Sequence, residues 1–374
     1  MLTSTVDFQE MIIKSIVPSS LFSLSILRKN KFSQFLHVFV SLMFIIKGLF
    51  GLYIIYFESP NNFNNLVHKY ETVWSKFNSI LFGLTCGYYL FSRRLFHKLL
   101  SSYHEIIYRN KEIAADYLIR QQKIIKFLFV YAIFYEIICE VAKNDTRYIP
   151  DALISPENYI YKHILFAIIL IASKIGLICQ FQFILEICFH LESAFMVLNQ
   201  CLDNLRPWYL VKGDETGGKS SEEKMRSCRL MYIKIIKTAR YADKFFTLTL
   251  LTFYLFFVGL WLFIVRAIFV TTQSFINLIL TIARFIGEST YLLLITYHLI
   301  RVNQLSNKLF KKVYALSFDL KSFEFTNEVN LFLLRISRHD VGFRFGRLLF
   351  ITPNFVSSLA TISLTIGLAL ASLF

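Results

Sequence analysis

The sequence predicts an all-α membrane protein with seven transmembrane helices and an N-terminus on the cytoplasmic side. Three observations carry this prediction: the composition, seven long apolar segments and the distribution of Lys and Arg. Of the 374 residues, 55% are hydrophobic and only 17% are charged, and the mean hydropathy is +0.52. A soluble domain is about 25% charged, so the composition argues against a soluble enzyme. It also excludes a disordered chain, because disorder requires low hydrophobicity.

Each of the seven apolar segments is long enough to cross a bilayer, which takes about 20 residues of helix. The segments are 34–57, 72–92, 124–142, 159–187, 245–270, 274–300 and 348–374. We therefore divide the chain into a cytoplasmic N-terminus (1–33), helices one to four (34–187), a long intracellular loop with helical extensions (188–244), helices five and six (245–300), an intracellular helical segment (301–347) and helix seven (348–374).

The orientation follows from the basic residues. With the N-terminus inside, 30 Lys and Arg residues lie in inside segments and 3 in outside loops. Such an excess marks the cytoplasmic side, and it explains the net charge of +15 without a nucleic-acid partner. The sequon Asn144-Asp145-Thr146 falls in an outside loop, so we expect a glycan on Asn144 of a multi-pass plasma-membrane protein.

The two long inside loops contain apolar residues at helical spacing. Leu191, Phe195 and Leu198 follow helix four, and a similar row, Leu305, Leu309 and Val313, follows helix six. This spacing is typical of amphipathic helices. We expect an intracellular helical bundle built from extensions of the membrane helices.

A phosphate-binding pattern, G-x-x-x-x-G-K-[ST], is matched by the segment from Gly213 to Ser220. A nucleotide site of this kind needs a strand before the loop and an α/β domain around it, and neither is predicted. The Gly-, Ser-, Glu- and Lys-rich stretch 213–224 instead predicts a flexible link.

Charged residues inside membrane segments are costly and mark candidate sites. Arg284 and Glu288 share one helix face, and so do Glu136 and Glu140, which allows either structural ion pairs or a ligand pocket. The candidates for a ligand pocket are Tyr135, Glu136, Glu140, Lys174, Arg284 and Glu288.

The last segment carries small hydroxyl residues at a spacing of four: Ser357, Thr361 and Thr365. Such a stripe allows close helix packing or the wall of a water-filled pore with Leu364 or Leu368 as a constriction, and both interpretations stay open. The sequence contains no nucleophile–base pair and no metal spacing, so we expect no catalytic residue, no cofactor and no metal site.

The approach to the last helix, Gly342-Phe343-Arg344-Phe345-Gly346-Arg347-Leu348-Leu349-Phe350, is similar to the Gly-aromatic and Leu-Leu-Phe entry of the insect gustatory receptor superfamily. Within the helix, two registers match the spacing of the family's Thr-Tyr, five residues and Gln-Phe. One runs from Thr365-Ile366 to Ser372-Leu373, and the other runs from Thr361-Ile362 to Leu368-Ala369. The Tyr, Gln and Phe of that hallmark are replaced. The chain thus resembles a divergent gustatory receptor or gustatory receptor-like protein.

This resemblance implies a taste-type chemosensory receptor that acts as a ligand-gated, non-selective cation channel subunit. Four subunits, identical or related, would surround a pore, and a small-molecule ligand would enter a cavity in the outward half of each, with membrane lipid around them. The resemblance places five residues at the pore: Ser357, Thr361, Thr365, Leu368 and Ser372. Two alternatives are a non-conducting gustatory receptor-like subunit and a multi-span transporter. A G-protein-coupled receptor would require an outside N-terminus.

Overall fold

The computed structural model describes residues 21–27, 31–53, 55–56, 66–108, 110–142, 159–205, 215–270, 275–318, 323–338, 340–346 and 348–372. Ten helices and two short strands follow in chain order. They are α1 (Leu21–Leu27), α2 (Lys31–Tyr53), α3 (Leu66–Phe91), α4 (Arg93–Ile107), α5 (Lys111–Ala142), α6 (Tyr159–Asp203), α7 (Glu215–Val270), α8 (Phe275–Leu316), α9 (Phe323–Ile336), β1 (Arg344–Phe345), β2 (Leu349–Phe350) and α10 (Pro353–Ser372).

Each predicted apolar segment falls on one long helix, in order α2, α3, α5, α6, α7, α8 and α10. Among the described residues, three helical stretches are long and apolar enough to cross a membrane: Lys31–Tyr53, Ala167–Asp203 and Glu222–Gly259. The helix Pro353–Ala369 is apolar but shorter. The all-α fold class is therefore confirmed.

The helices continue far beyond the predicted membrane segments, as the spacing of apolar residues in the two inside loops indicated. Helix α6 runs for 45 residues and α7 for 56. Leu191, Phe195 and Leu198 are all buried. Every residue from 183 to 195 is buried as well, because α6 is surrounded by other helices here.

The prediction of a flexible link over 213–224 is wrong from Glu215 onward, where α7 begins. Its next turns present Met225, Cys228 and Tyr232 to the core, each at most 5% exposed. Burial of this apolar row stabilises the helix more than the Gly and Ser residues destabilise it. Gly213 itself lies outside the described residues.

An aromatic cluster forms the centre of the core, where α3, α4, α6 and α7 meet. The Tyr89 ring lies 5.2 Å from that of Phe183 and 5.3 Å from that of Phe245, and Phe96 of α4 lies 5.4 Å from both phenylalanines. Phe22, from the short helix α1, also packs against Tyr89. Many of the aromatic residues are thus core residues. Most of these pairs are tilted or edge-on and Tyr89 stacks on Phe245, and aromatic pairs favour both edge-on and offset-stacked arrangements.

Helices α2 and α3 approach closely through glycine. The Ser41 hydroxyl donates a hydrogen bond of 2.7 Å to the carbonyl of Gly83, and His37 Nε2 lies 2.8 Å from the carbonyl oxygen of Cys86. A Cβ on Gly83 would lie 2.8 Å from the carbonyl oxygen of Ser41. The two helices are therefore antiparallel, and they pack in the small-residue manner of membrane helices.

The last helix begins later than the predicted 348, because the chain first forms a hairpin. Phe345 pairs with Leu349 in the antiparallel strands β1 and β2. Helix α10 then starts at Pro353, and the Thr352 hydroxyl accepts a 3.2 Å hydrogen bond from the amide of Phe355. A Thr cap followed by Pro at the first helical position is a strong start signal.

Candidate functional site

Helix α10 has two different faces. One face packs on α7 and includes Ser363 and Gly367, which are buried. The opposite face is exposed in this single chain and contains Ser357, Thr361, Thr365 and Leu368. The predicted hydroxyl stripe is therefore not used for packing within the described part of the chain. Ser372 ends the helix, and its side chain lies outside the described residues.

The hydroxyl groups on the exposed face are oriented by the helix itself. Thr361 donates a 2.9 Å hydrogen bond to the carbonyl of Ser357, and Thr365 donates one of the same length to the carbonyl of Thr361. Ser357 donates to the carbonyl of Asn354. Each hydroxyl hydrogen is thus directed toward the backbone. The oxygen lone pairs remain, so the stripe offers hydrogen-bond acceptors along the outer face of α10.

The hairpin before α10 is fixed to the long helices. The amide of Arg344 donates a 2.8 Å hydrogen bond to Asp243 Oδ1 of α7, and Asn303 Nδ2 of α8 donates a 2.6 Å bond to the carbonyl of Val341. Arg344 also lies over the ring of Phe350, 4.8 Å from its centroid. Movement of α7 or α8 would therefore be transmitted to the start of α10.

The residues predicted for a ligand pocket are only partly described. Lys174 lies half-buried on α6. Helices α5 and α8 carry the other candidates, Tyr135, Glu136, Glu140, Arg284 and Glu288, whose side chains lie outside the described residues. Asn144, the predicted glycosylation site, lies outside the described residues as well. These assignments remain predictions.

Buried polar atoms mark another candidate site, on helices α3, α7 and α8. Four of them have no hydrogen-bond partner in the described part of the chain: Trp74 Nε1 and Asn78 Oδ1 of α3, Trp261 Nε1 of α7 and Ser289 Oγ of α8. The Trp74 indole lies against Gly259, and the Trp261 ring lies 6.1 Å from that of Phe285. A buried polar group without a partner costs about 1–3 kcal/mol, and a ligand that hydrogen-bonds to it would recover part of that cost.

A second polar site, which the sequence analysis did not find, lies inside the helical extensions. Glu192 of α6 is fully buried, and its Oε1 lies 2.7 Å from His298 Nδ1 of α8. Its Oε2 lies 3.3 Å from Arg301 Nε and accepts a hydrogen bond from the Tyr117 hydroxyl of α5. The only sequence signal is that a Glu occurs in an apolar helical run. Its partners come from distant segments, which periodicity cannot pair.

Among the described residues there is no group of three or more His, Cys, Asp or Glu side chains that could hold a metal ion. The five cysteines whose side chains are described are all free thiols, and four of them are buried.

Comparison with known proteins gives a structural match only. No family model matches the sequence, and no curated protein does. The insect olfactory receptor OR5 from Machilis hrabei superposes with a TM-score of 0.58 at 15% identity, over 92% of this chain and 91% of that chain. The same receptor in complex with eugenol gives a TM-score of 0.51 at 16% identity, with the same coverage. These neighbours are receptors and not enzymes. The chain therefore has the fold of an insect olfactory receptor.

Proposed function

We propose that this chain is a subunit of a taste-type chemosensory receptor that opens a non-selective cation channel when a small molecule binds. The observation that carries the proposal is the exposed hydroxyl face of α10. Ser357, Thr361 and Thr365 direct their hydrogens to backbone carbonyls, and acceptor oxygens are what a permeating cation requires. Four copies arranged with these faces inward would form a pore, with Leu368 and Ser372 in its wall and Leu368 as the constriction.

The proposed membrane topology has seven spans, with the N-terminus in the cytoplasm and Asn144 outside. Its support is the excess of Lys and Arg in the segments assigned to the inside. The proposed plasma-membrane location rests on the same topology. The helical extensions of α6, α7 and α8 would then form a cytoplasmic bundle, and the four copies, identical or related, would assemble through it.

The proposed ligand is a neutral small molecule that contains an oxygen acceptor. Support comes from the buried indole N–H groups of Trp74 and Trp261 and from the Ser289 hydroxyl, which lack partners in the described part of the chain. Eugenol, which is bound in one structural neighbour, is a neutral aromatic phenol and belongs to this chemical class. A charged ligand would instead use the predicted pocket residues Glu136, Glu140, Lys174, Arg284 and Glu288.

The pore assignment can be tested with cysteine substitutions on the two faces of α10. Thr365→Cys lies on the exposed face, and Ser363→Cys on the face that packs against α7. Cells expressing the full chain would be recorded during application of neutral phenols and sugars, eugenol included. A cationic methanethiosulfonate reagent should reduce the evoked current of Thr365→Cys by more than half and leave that of Ser363→Cys unchanged. Equal block of both variants, or of neither, would contradict the pore assignment.

The second candidate function is a non-conducting receptor subunit. It is favoured by Ile366, Ser372 and Leu373, which stand where the resembled family has Tyr, Gln and Phe. Such a subunit would bind ligand without carrying current by itself. Ligand-dependent thermal stabilisation of the purified chain, together with an absence of current, would support this candidate and exclude the homomeric channel.

A further inference from the structure

The exposed surface where α2, α3 and α4 meet combines large aromatic rings with basic side chains. We call it the inner corner and define it by six residues: Phe32, Phe35, Phe91, Arg93, Arg94 and Lys98. Phe91 is 90% exposed, Phe32 69% and Phe35 65%. Arg93 is half-buried, Arg94 is exposed, and Lys98 is exposed one helical turn further along α4.

The antiparallel packing of α2 and α3 brings these residues to one level. His37 is opposite Cys86, and Ser41 is opposite Gly83. Continuing this register by one helical turn places Phe32 and Phe35, at the start of α2, level with Phe91 at the end of α3. Arg93 and Arg94 follow Phe91 directly, as the first residues of α4.

Within the described part of the chain, no acidic side chain pairs with the basic residues of this surface. The sequence contains neither Asp nor Glu between residues 11 and 57 or between residues 72 and 104. None of Arg93, Arg94 and Lys98 forms an ion pair within the described part of the chain. Glu186 of α6 is buried, and its Oε2 accepts a 3.1 Å hydrogen bond from the hydroxyl of Ser23 in α1. The inner corner therefore carries three positive charges beside exposed rings.

The Arg93 guanidinium is oriented by a neighbour that leaves its charge intact. Its Nε donates a 3.3 Å hydrogen bond to His97 Nε2. Burial, and secondly the charge of Arg93, lower the pKa of His97, so this imidazole is neutral at pH 7 and can accept the bond. A guanidinium has five N–H donors. The other four are available to a ligand, and the planar fork of a guanidinium matches the oxygen atoms of a phosphate.

We propose that the inner corner binds an anionic phospholipid of the cytoplasmic leaflet. The phosphate would contact Arg93, Arg94 and Lys98, and the acyl chains would lie against Phe32, Phe35 and Phe91. Charge complementarity selects the headgroup, because a zwitterionic lipid would gain little at a site with three uncompensated positive charges. The rings select a lipid over a soluble phosphate. The assignment to the cytoplasmic leaflet rests on the topology in the proposed function.

The proposal is tested by titrating the purified full-length chain in detergent with dioleoyl phosphatidylserine or dioleoyl phosphatidylcholine and counting bound lipids by native mass spectrometry. A basic residue at a membrane surface contributes about fivefold to binding of an anionic lipid. We therefore expect the double variant R93Q/R94Q to bind phosphatidylserine roughly 30-fold more weakly. The matched control is K308Q/K311Q, which removes two exposed charges from α8 and should change binding less than threefold.

Three results would overturn the proposal. An equal loss in the K308Q/K311Q control would mean that diffuse charge attracts the lipid. Displacement of phosphatidylserine by glycerol 3-phosphate at similar concentration would mean that the site accepts soluble phosphates. A change of oligomeric mass in Phe91→Ser would mean that the rings contact a second copy of the chain; the expected result is an unchanged mass with weaker lipid binding.

Two further variants, Lys98→Gln and R93K/R94K, complete the test. If R93Q/R94Q does not fold, Lys98→Gln removes one charge from an exposed position, and the expected loss is roughly fivefold. The variant R93K/R94K keeps the charge and loses the fork, so an intermediate affinity is expected. Lipid binding is measured without ligand or current. A chain that binds phosphatidylserine but carries no current would contradict the proposed channel alone.

Discussion

Glu192 Oε1 and His298 Nδ1 lie 2.7 Å apart in the interior, between α6 and α8. The same carboxylate is 3.3 Å from Arg301 Nε and accepts a hydrogen bond from Tyr117. One fully buried side chain thus connects α5, α6 and α8, just beyond the predicted membrane segments. A buried carboxylate is tolerated when all its lone pairs are engaged, and here every partner comes from another helix.

Glu192→Gln should destabilise the protein by about 2–4 kcal/mol, because it leaves the partly buried Arg301 charge without its carboxylate. The measurement is the apparent melting temperature of the detergent-purified chain. Glu112→Gln, at an exposed position of α5, is the matched control and should leave that temperature unchanged. Equal melting temperatures for the two variants would show that the Glu192 network contributes little.

Gly83→Ala should destabilise the packing of α2 on α3 by about 1–3 kcal/mol. The new Cβ would lie 2.8 Å from the carbonyl oxygen of Ser41, which is backbone and cannot move aside independently. Gly87→Ala, one turn later on the same helix, meets only the Ser41 hydroxyl at 3.5 Å. The better helix propensity of Ala should therefore leave this control neutral or stabilise it by up to about 1 kcal/mol. If Gly87→Ala unfolds at a lower temperature than Gly83→Ala, that result would contradict the close contact between Gly83 and the backbone of α2.

Gly346→Ala should destabilise the hairpin by about 1–2 kcal/mol, because Gly346 has a φ of +56°, a region that costs most L-residues that much. Gly346→Asn should recover part of the loss, since Asn adopts the left-handed region more readily. Thermal unfolding of both variants checks the order. A loss of evoked current in Gly346→Ala that Asn restores would further connect the hairpin to the position of α10.

Acidification should weaken the contact between α7 and α9 through Asp340. Its carboxylate lies 2.5 Å from Arg240 Nη2 and 3.1 Å from Arg335 Nη1. Partial burial raises the pKa of Asp340, but hydrogen bonds from Arg335 and Arg240 outweigh burial and lower that pKa overall. A lowered folded-state pKa stabilises the fold above the unfolded value of about 3.9, and this contribution is lost as the pH falls below it.

The pH prediction is checked by following the melting temperature from pH 6 to pH 3. The fall should be shallower for Asp340→Asn than for the unaltered chain. Asp116→Asn, an exposed position of α5, serves as the comparison and should follow the unaltered chain. If the melting temperature of Asp340→Asn falls with pH as steeply as that of the unaltered chain and of Asp116→Asn, the ion pairs of Asp340 do not contribute to the loss of stability in acid.

The sequence predicts where the helices lie but not where each begins. The length of the apolar segments identifies the seven long helices among the described residues, because a run of about 20 apolar residues is sufficient to predict such a helix. The start of α10 at Pro353 depends on the pairing of Phe345 with Leu349. Strands of two residues are too short to show an alternating pattern in the sequence, so this pairing is not predicted. The helical start of α7 at Glu215 was missed for a related reason. Local composition favours a linker there, and the burial of Met225 and Cys228 by distant helices overrides it.

The candidate site divides in the same way. Ser357, Thr361 and Thr365 are spaced by four residues, and residues at this spacing always lie on one face of a helix. Whether the face is buried depends on the neighbouring helix, which the sequence does not specify. The Glu192 network shows the same limit, because its four members lie on three helices that are far apart in sequence. The buried polar atoms at Trp74 and Trp261 likewise become visible only when the helices are assembled.

The length of helix α7 fixes how the parts of the molecule that it contacts are rotated relative to one another. Its 56 residues correspond to a rod of about 84 Å, at 1.5 Å per residue. Along it, Arg229 binds Glu328 of α9, Asp243 holds the hairpin and Gly259 meets Trp74. Inserting a single residue between Asp243 and Gly259 would turn one end by about 100° against the other, and inserting four would turn it by only about 40°. The length of α7 between these contacts therefore fixes the directions in which its two ends face, and an insertion changes those directions more than it changes the distance between the contacts.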